Sequence, residues 1–371
     1  MLSLIWLIFA PLIAAGIILF PKFPNHQVKV RRFAKSFAAL HFIYSLLFLL
    51  FFDTGMYGMS FEKELTFFGT TWLKSLGISA KFAVDGVALL MVILTSFVVL
   101  ITLVVSKIHI RSKHKLYYSM VFLFEAALLG IFCAKDMFLF FVFWELSLIP
   151  LYFLVSQWGN SEARAAAMRF TLGSFAANML MFFAMLILYY YNFAVSNVMT
   201  ANIESLSMDE KIYPLWFQIM VFSGFLAAFA IRVPFAFLHS WFPDIQSKAA
   251  APVNILISGI LLGTGVYGLI RFNMLIFPSI FRIFAPVLMV WGVVNLFYAG
   301  ALAIAQSEIK KIVSYANIAS SGFVMLGLGS LTQIGFNGAV FMTISAGIVF
   351  AAFFVLISSI QFRTKTTYIT A

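Results

Sequence analysis

Residues 219–272 read IMVFSGFLAAFAIRVPFAFLHSWFPDIQSKAAAPVNILISGILLGTGVYGLIRF, and the fold turns on this stretch. An apolar run long enough to enter a bilayer meets Arg232 and then Pro234. The chain turns polar at His239–Asp244, and a second apolar helix starts near Val253. Proline lacks a backbone donor and clashes with the preceding turn, so the first helix should break near Val233–Pro234. At membrane depth a break survives only where protein or a water-filled cavity re-satisfies the freed backbone groups. A cation beside it points to an ion or proton pathway. The competing reading is an arginine that snorkels to the cytoplasmic interface from a helix end.

The composition sets the context. Of 371 residues 63% are hydrophobic and 10% charged, with a mean hydropathy of +1.03. Soluble domains sit near half apolar and a quarter charged, so the chain reads as a polytopic membrane protein whose surroundings are the lipid bilayer. The net charge of +11 then marks cytoplasmic loops, where Lys and Arg are retained, and implies no nucleic-acid partner. Cys133 is the one cysteine, which excludes a disulfide or cysteine-cluster framework. MLSLIWLIFAPLIAAGIILF at the N-terminus lacks a basic n-region and a small-residue cleavage site, and reads as a first span. No Gly-rich phosphate loop, His/Cys metal spacing or nucleophile triad is present. No cofactor or metal is therefore expected in this chain, and any redox or nucleotide chemistry belongs to partners.

Apolar windows place spans near 2–20, 34–52, 84–106, 116–134, 137–156, 166–191, 213–232, 253–271, 283–304, 311–328 and 334–360, about eleven helices. Cations concentrate in alternate loops, as at Lys22, Lys29, Arg31, Arg32 and Lys35, or Lys107, Arg111, Lys113 and Lys115. The N-terminus is then outside and the C-terminus in the cytoplasm. The longest polar segments, 53–83 and 192–212, are external, and the second is mildly acidic through Glu204, Asp209 and Glu210. Neither is long enough for a separate domain, so 1–371 reads as one membrane domain.

Several charges fall inside these spans. Glu145 lies nine residues after Asp136, roughly 13 Å deep and near the bilayer middle. A carboxylate there is costly unless paired or protonated, which suits a proton carrier; the bland alternative is a neutral acid bonded between helices. Glu125, mid-span in the preceding helix, reads as a relay group or as structural glue. His239, Trp241 and Asp244 form a polar corner after the break, suited to proton transfer through the histidine or to capping the next helix. Lys310, in SEIKKIVSYA, reads as an interfacial anchor.

Four motifs carry a resemblance. KDMFLFFVFWELSLIPLYFL, RVPFAFLHSWFPD, APVNILISGILLGTGVYGLIRFN and EIKKIVSYANIASSGFVMLG together resemble the antiporter-like subunit M, chain 4, of complex I-type NADH:quinone oxidoreductases, including the cyanobacterial and plastid versions. The resemblance covers nearly the whole chain and is most specific over about 115–360. It implies an all-α polytopic bundle of about 11 transmembrane helices with a broken seventh helix. It also implies two inverted five-helix repeats, one over 116–272 after N-terminal helices at 1–115, and a second, incomplete one over 283–371. Glu145 matches the family's essential acid, and Arg232 stands where the family has the lysine that pairs with it. His239 and Asp244 match its HxWLPD corner. Proton-transfer candidates are therefore Glu145, Arg232, His239, Glu125 and Asp244, with Arg232 expected in a buried ion pair with Glu145.

The chain also departs from the pattern. Gly263 replaces a central lysine, Ser320 and Ala346 replace histidines, Gln246 replaces a histidine and Lys248 a carboxylate. Arginine also cannot cycle its proton as lysine does. Two readings follow from the resemblance: a membrane-arm subunit that helps couple electron transfer to proton transport, or a degenerate or truncated structural paralogue. A cation/proton antiporter subunit is a third. Partners would be other membrane subunits of the assembly, with quinone and NADH bound by those partners. The membrane would be the bacterial cytoplasmic membrane, or a thylakoid or organellar one.

Overall fold

The computed structural model describes residues 3–20, 27–52, 60–67, 70–71, 73–208 and 212–369; the expected loop charges Lys22, Asp209, Glu210 and Lys211 lie outside them. A short apolar helix, α1 (Leu4–Leu19), precedes ten helices long and apolar enough to cross a membrane. These are α2 (Gln27–Leu50), α3 (Gly86–His109), α4 (His114–Cys133), α5 (Met137–Trp158), α6 (Ala163–Ser196), α8 (Leu215–Arg232), α10 (Ala251–Met274), α11 (Pro278–Ile304), α12 (Ile309–Gly329) and α13 (Gln333–Thr364). Two shorter helices, α7 (Ile203–Met208) and α9 (Trp241–Lys248), lie between them. The chain is an all-α polytopic membrane protein: ten of its eleven expected spans form helices long enough to cross a membrane among the described residues, and the first, expected over 2–20, forms the 16-residue α1. Their ends differ: α6 and α13 run to 34 and 32 residues, several longer than the apolar windows.

Helix starts follow local chemistry. The Asp85 carboxylate accepts from Ala88 N at 2.9 Å to cap α3, and Asp136 accepts from Phe138 N at 2.9 Å and Leu139 N at 3.3 Å to cap α5. Each acid satisfies backbone donors that a first helical turn leaves open. Between α2 and α3 the structure adds two small antiparallel strand pairs that the apolar windows do not announce. β1 (Ser60–Glu64) pairs with β4 (Lys81–Val84), and β2 (Thr66–Phe67) with β3 (Thr70–Thr71), with Glu64 opposite Lys81. That cross-strand pair of opposite charges suits a half-exposed ladder.

The bundle is organised around α10. Every residue from Ala251 to Asn273 is buried, packed among α3, α4, α8 and α13. A helix apolar on all sides belongs in the interior of such a bundle. It is not uniformly wound: Ile257–Leu261 and Leu269–Met274 adopt the wider π geometry, a distortion that recurs where helices serve sites. The seventh span breaks where expected. Val233 N donates to Phe229 O at 2.9 Å, Pro234 has no donor, and Phe235 N reaches back five residues to Ala230 O at 3.0 Å. The segment 233–240 then turns, with Phe237 at φ 73°, before α9 begins at Trp241.

Candidate functional site

The break is held by side chains from other helices. Asn295 of α11 accepts from Ala236 N at 2.5 Å and donates to Pro234 O at 3.2 Å and to Ser321 Oγ of α12 at 3.0 Å. Trp241 Nε1 donates to Ile231 O at 3.0 Å, and Trp291 Nε1 to Ala236 O at 3.4 Å. These contacts supply the partners that irregular backbone needs at membrane depth. Gly265 of α10 lets the helices approach here: a Cβ on it would lie 2.8 Å from Arg232 Cβ and 2.7 Å from Val233 Cγ2.

Arg232 is 1% exposed, so it does not snorkel to an interface. Its guanidinium stacks 4.3 Å from the centre of the Trp144 ring, and Nη2 donates to Ser147 Oγ at 3.0 Å. Nε and Nη1 have no hydrogen-bond acceptor among the described residues. The expected ion pair with Glu145 does not form, since no carboxylate lies within 4.0 Å of Arg232 among those residues. Glu145 and Arg232 attract each other only across a gap.

Helical geometry explains the miss. Trp144 and Ser147 share the inner face of α5, whereas Glu145 is turned about 100° away, on the face of Val142 and Ile149. Those two neighbours are 48% and 52% exposed, and Glu145 itself is half-buried. Its carboxyl borders a lateral groove of about 480 Å³ lined by Val142, Ile149, Tyr152, Thr171 and Phe175. Asn178, which accepts from Trp144 Nε1 at 2.9 Å, sits beside it.

The polar corner divides into two environments. The His239 ring is buried against the edges of Tyr298 and Tyr315, at centroid distances of 5.4 and 6.0 Å, and its Nδ1 is unbonded among the described residues. Asp244 points elsewhere, accepting from Arg169 Nη2 at 2.6 Å and Lys248 Nζ at 2.7 Å. Partial burial pushes its carboxyl up, but the two cations outweigh this and hold it below the usual carboxylate range. The two corner residues therefore have no partner in common. Lys248, which stands for a family carboxylate, also meets Glu162 at 3.2 Å.

Residues 134–371, more than half of the chain, match the family described as NADH:quinone oxidoreductase/Mrp antiporter, TM. The chain belongs to this family. NAD(P)H-quinone oxidoreductase chain 4 2 of Thermosynechococcus vestitus is 35% identical over 96% of this chain and 64% of its own length. NAD(P)H-quinone oxidoreductase chain 4 of Prochlorococcus marinus is 32% identical over 95% and 63%. The chain thus spans a little under two thirds of these relatives. A chain of respiratory complex I from Thermus thermophilus superposes with a TM-score of 0.86 at 23% identity, over 99% of this chain and 73% of that one, a likeness of fold. The chain 4 relatives agree with the resemblance to the antiporter-like subunit M.

Against that family pattern, Gly263, Ser320 and Ala346 are uncharged. A Cβ at Gly263 would meet Met91 Sδ at 3.4 Å and Thr343 Cγ2 at 3.5 Å. Ser320 Oγ turns back on Asn317 O at 2.7 Å, and Ala346 is buried. Polar side chains nearby bond separately between elements: Asn254 Nδ2 donates to Gln246 O at 2.6 Å, Ser314 Oγ donates to Gln246 Oε1, and Asn317 Nδ2 donates to Ser258 O at 3.2 Å within the first π stretch. Lys310, expected as an interfacial anchor, is bonded within the bundle. It is buried, and its Nζ donates to Ala249 O at 3.2 Å, a cation on the last carbonyls of α9.

Glu125 is the most buried of the expected acids. Its Oε1 lies 2.9 Å from Nδ1 of His41 on α2, and the other ring nitrogen, Nε2, lies 2.9 Å from the Leu7 carbonyl of α1. His41 escaped the sequence reading because it follows five loop cations and interrupts an otherwise apolar run. The signal was present nonetheless: a lone imidazole in one span and a lone carboxyl in another each need a partner in lipid.

Proposed function

We propose that this chain is a membrane-arm subunit of a proton-translocating NADH- or ferredoxin-dependent quinone oxidoreductase and contributes to coupling electron transfer to proton transport. The observation that carries this reading is the broken helix braced by Asn295, with buried Arg232 on its inner side and Glu145 across a gap. A polarisable break with a fixed cation is an arrangement that can bias a proton on a nearby acid. Glu145 is the working carrier in this reading, with His239 on the cytoplasmic side of the break. Glu145 Oε1 is buried with no partner among the described residues, and the apolar groove beside it suits cover from a neighbouring membrane subunit, because an unpaired carboxylate in the membrane is costly. Quinone and NADH are bound by partner subunits, and the membrane is a bacterial cytoplasmic or thylakoid one. Residues 116–272 serve as one structural repeat and 283–371 as part of a second.

A second reading, a structural subunit without its own proton channel, draws on one specific observation. Arg232 keeps its charge at neutral pH, and the positions of Gly263, Ser320 and Ala346 offer no titratable side chain beyond it. Proton uptake per electron, measured in vesicles holding the assembled complex, separates the two. Glu145→Gln in this chain should lower that ratio if Glu145 is a carrier. An unchanged ratio with normal assembly would leave the structural role.

A further inference from the structure

The His41–Glu125 pair lies outside the broken-helix site and has a chemistry of its own. Three helices each contribute one group: α1 the Leu7 carbonyl, α2 the imidazole and α4 the carboxyl. His41 is 4% exposed and Glu125 1%. The Phe37 ring stacks on the imidazole at 5.7 Å, nearly parallel, and Phe122 closes against Phe37. The site is therefore dry on two sides and its ring is fixed.

The bonding pattern counts protons. A carbonyl only accepts, so Nε2 carries a hydrogen whenever it bonds Leu7 O. Nδ1 then faces Glu125 Oε1 at 2.9 Å. Were the imidazole neutral and the carboxyl ionised, two lone pairs would point at each other. One proton must lie between them, either on Nδ1 of an imidazolium facing a carboxylate or on Oε1 of an acid facing a neutral ring. The pair is neutral overall in both forms, and moving the proton between them needs no rearrangement of heavy atoms.

The surroundings neither neutralise nor compete with it. α1 carries no charged residue. On α2 the nearest cation, Lys35, is six residues back, about 9 Å along the helix, and the Tyr44 hydroxyl is engaged with Ser3. On α3, Lys107 and His109 sit in the last turn. On α4, His114 and Lys115 precede Glu125 by about 15 Å. Glu145 of α5 faces the lateral groove, and Arg271 of α10 is held by Asp85. Glu125 Oε2 is the one polar atom of the pair that has no partner among the described residues, although it is fully buried.

We propose that His41 and Glu125 form a proton-binding site in the N-terminal helices, holding one proton on the Nδ1–Oε1 line and exchanging it through Glu125 Oε2. Losing that proton leaves a net charge in an apolar site and two opposed lone pairs, so release requires Glu125 to turn away from the ring. The pair is thus a store for one proton that is coupled to the contact among α1, α2 and α4.

The test uses the full chain in lipid vesicles. With only five histidines in the sequence, nitrogen-15 NMR of histidine-labelled protein can isolate His41 by comparison with His41→Gln. The expected result is a ring whose Nε2 stays protonated while Nδ1 changes protonation with pH, accompanied by a change in a carboxyl band that infrared difference spectra assign to Glu125 by its loss in Glu125→Gln. That band should shift on transfer to heavy water, because the proton exchanges. Glu125→Gln keeps a donor for Nδ1 and so should preserve the fold while abolishing the coupled titration. A His41 signal that is constant through the pH range where free imidazole titrates, or a carboxyl band that does not exchange, would reduce the pair to a static hydrogen bond. The NMR measurement on the unmutated chain stands even if a variant fails to insert.

Discussion

Two arginines are buried in this bundle, and they are held in opposite ways. Arg271, near the C-terminal end of α10, meets the Asp85 carboxylate at 2.5 Å and rests over Tyr267 at 4.9 Å. Arg232, at the helix break, rests over Trp144 at 4.3 Å with a serine hydroxyl as its bonded partner and no carboxylate within 4.0 Å. The aromatic shelf is common to both, so cation–π stacking does not distinguish them. The counter-charge does. One arginine completes a neutral structural pair that also caps α3; the other leaves a net positive charge in the interior, and such a charge is kept at a cost in stability. The contrast separates a fastening from a site.

This difference yields measurable opposites. Arg271→Met should cost about 3 kcal/mol, the lower end for breaking a buried pair, because Asp85 is a quarter exposed. Thermal or chaotrope unfolding of the detergent-solubilised chain reads this, and adding Asp85→Asn should recover most of the loss. Equal losses in the single and double variants would show that the pair contributes little. Asn295→Ala should cost about 2 kcal/mol, since the Ala236 N–H and the Pro234 carbonyl lose their partner in the interior. Protease sensitivity should rise at 233–240 in the same variant.

Arg232→Met should have the reverse sign to Arg271→Met, leaving stability unchanged or raising it by about 1 kcal/mol. A marked loss would reveal a counter-charge that the geometry does not contain. With no ion contact between them, Glu145→Gln and Arg232→Met should add within about 0.5 kcal/mol in the double variant. A larger coupling would mean the two groups meet in another conformation.

The corner cluster should matter least. Asp244→Asn should cost below about 1 kcal/mol and less at high salt, as exposed pairs do. Because Asp244 is held below the usual carboxylate range, its contribution is present above the ordinary carboxylate pKa and disappears as pH falls through the depressed value. Melting curves at acidic and neutral pH test that direction.

Much of this was legible from residue order alone. Hydropathy marked the ten spanning helices and the shorter α1, and Arg232-Val233-Pro234 marked the break, because a missing donor and a ring clash act within one turn. The spacing alone sets Glu145 about 100° from Trp144 and with Val142 and Ile149, but that this face looks away from Arg232 follows only from the burial of Trp144 and Ser147. Asn295 was not legible. It is an ordinary amide 61 residues from the backbone it braces, and nothing in its own neighbourhood marks it.

Depth in the membrane, helix number and the place of the break depend on short-range properties, transfer free energy and backbone sterics, which each segment carries with it. Which buried charge meets which partner depends on the rotation and approach of separate helices. The close approach permitted by Gly265, the alignment of His41 with Glu125 and the meeting of Arg271 with Asp85 arise only when those helices pack. Hydrogen bonds and ion pairs change greatly over an ångström or two, a tolerance far finer than the few residues by which a span can be placed from its composition.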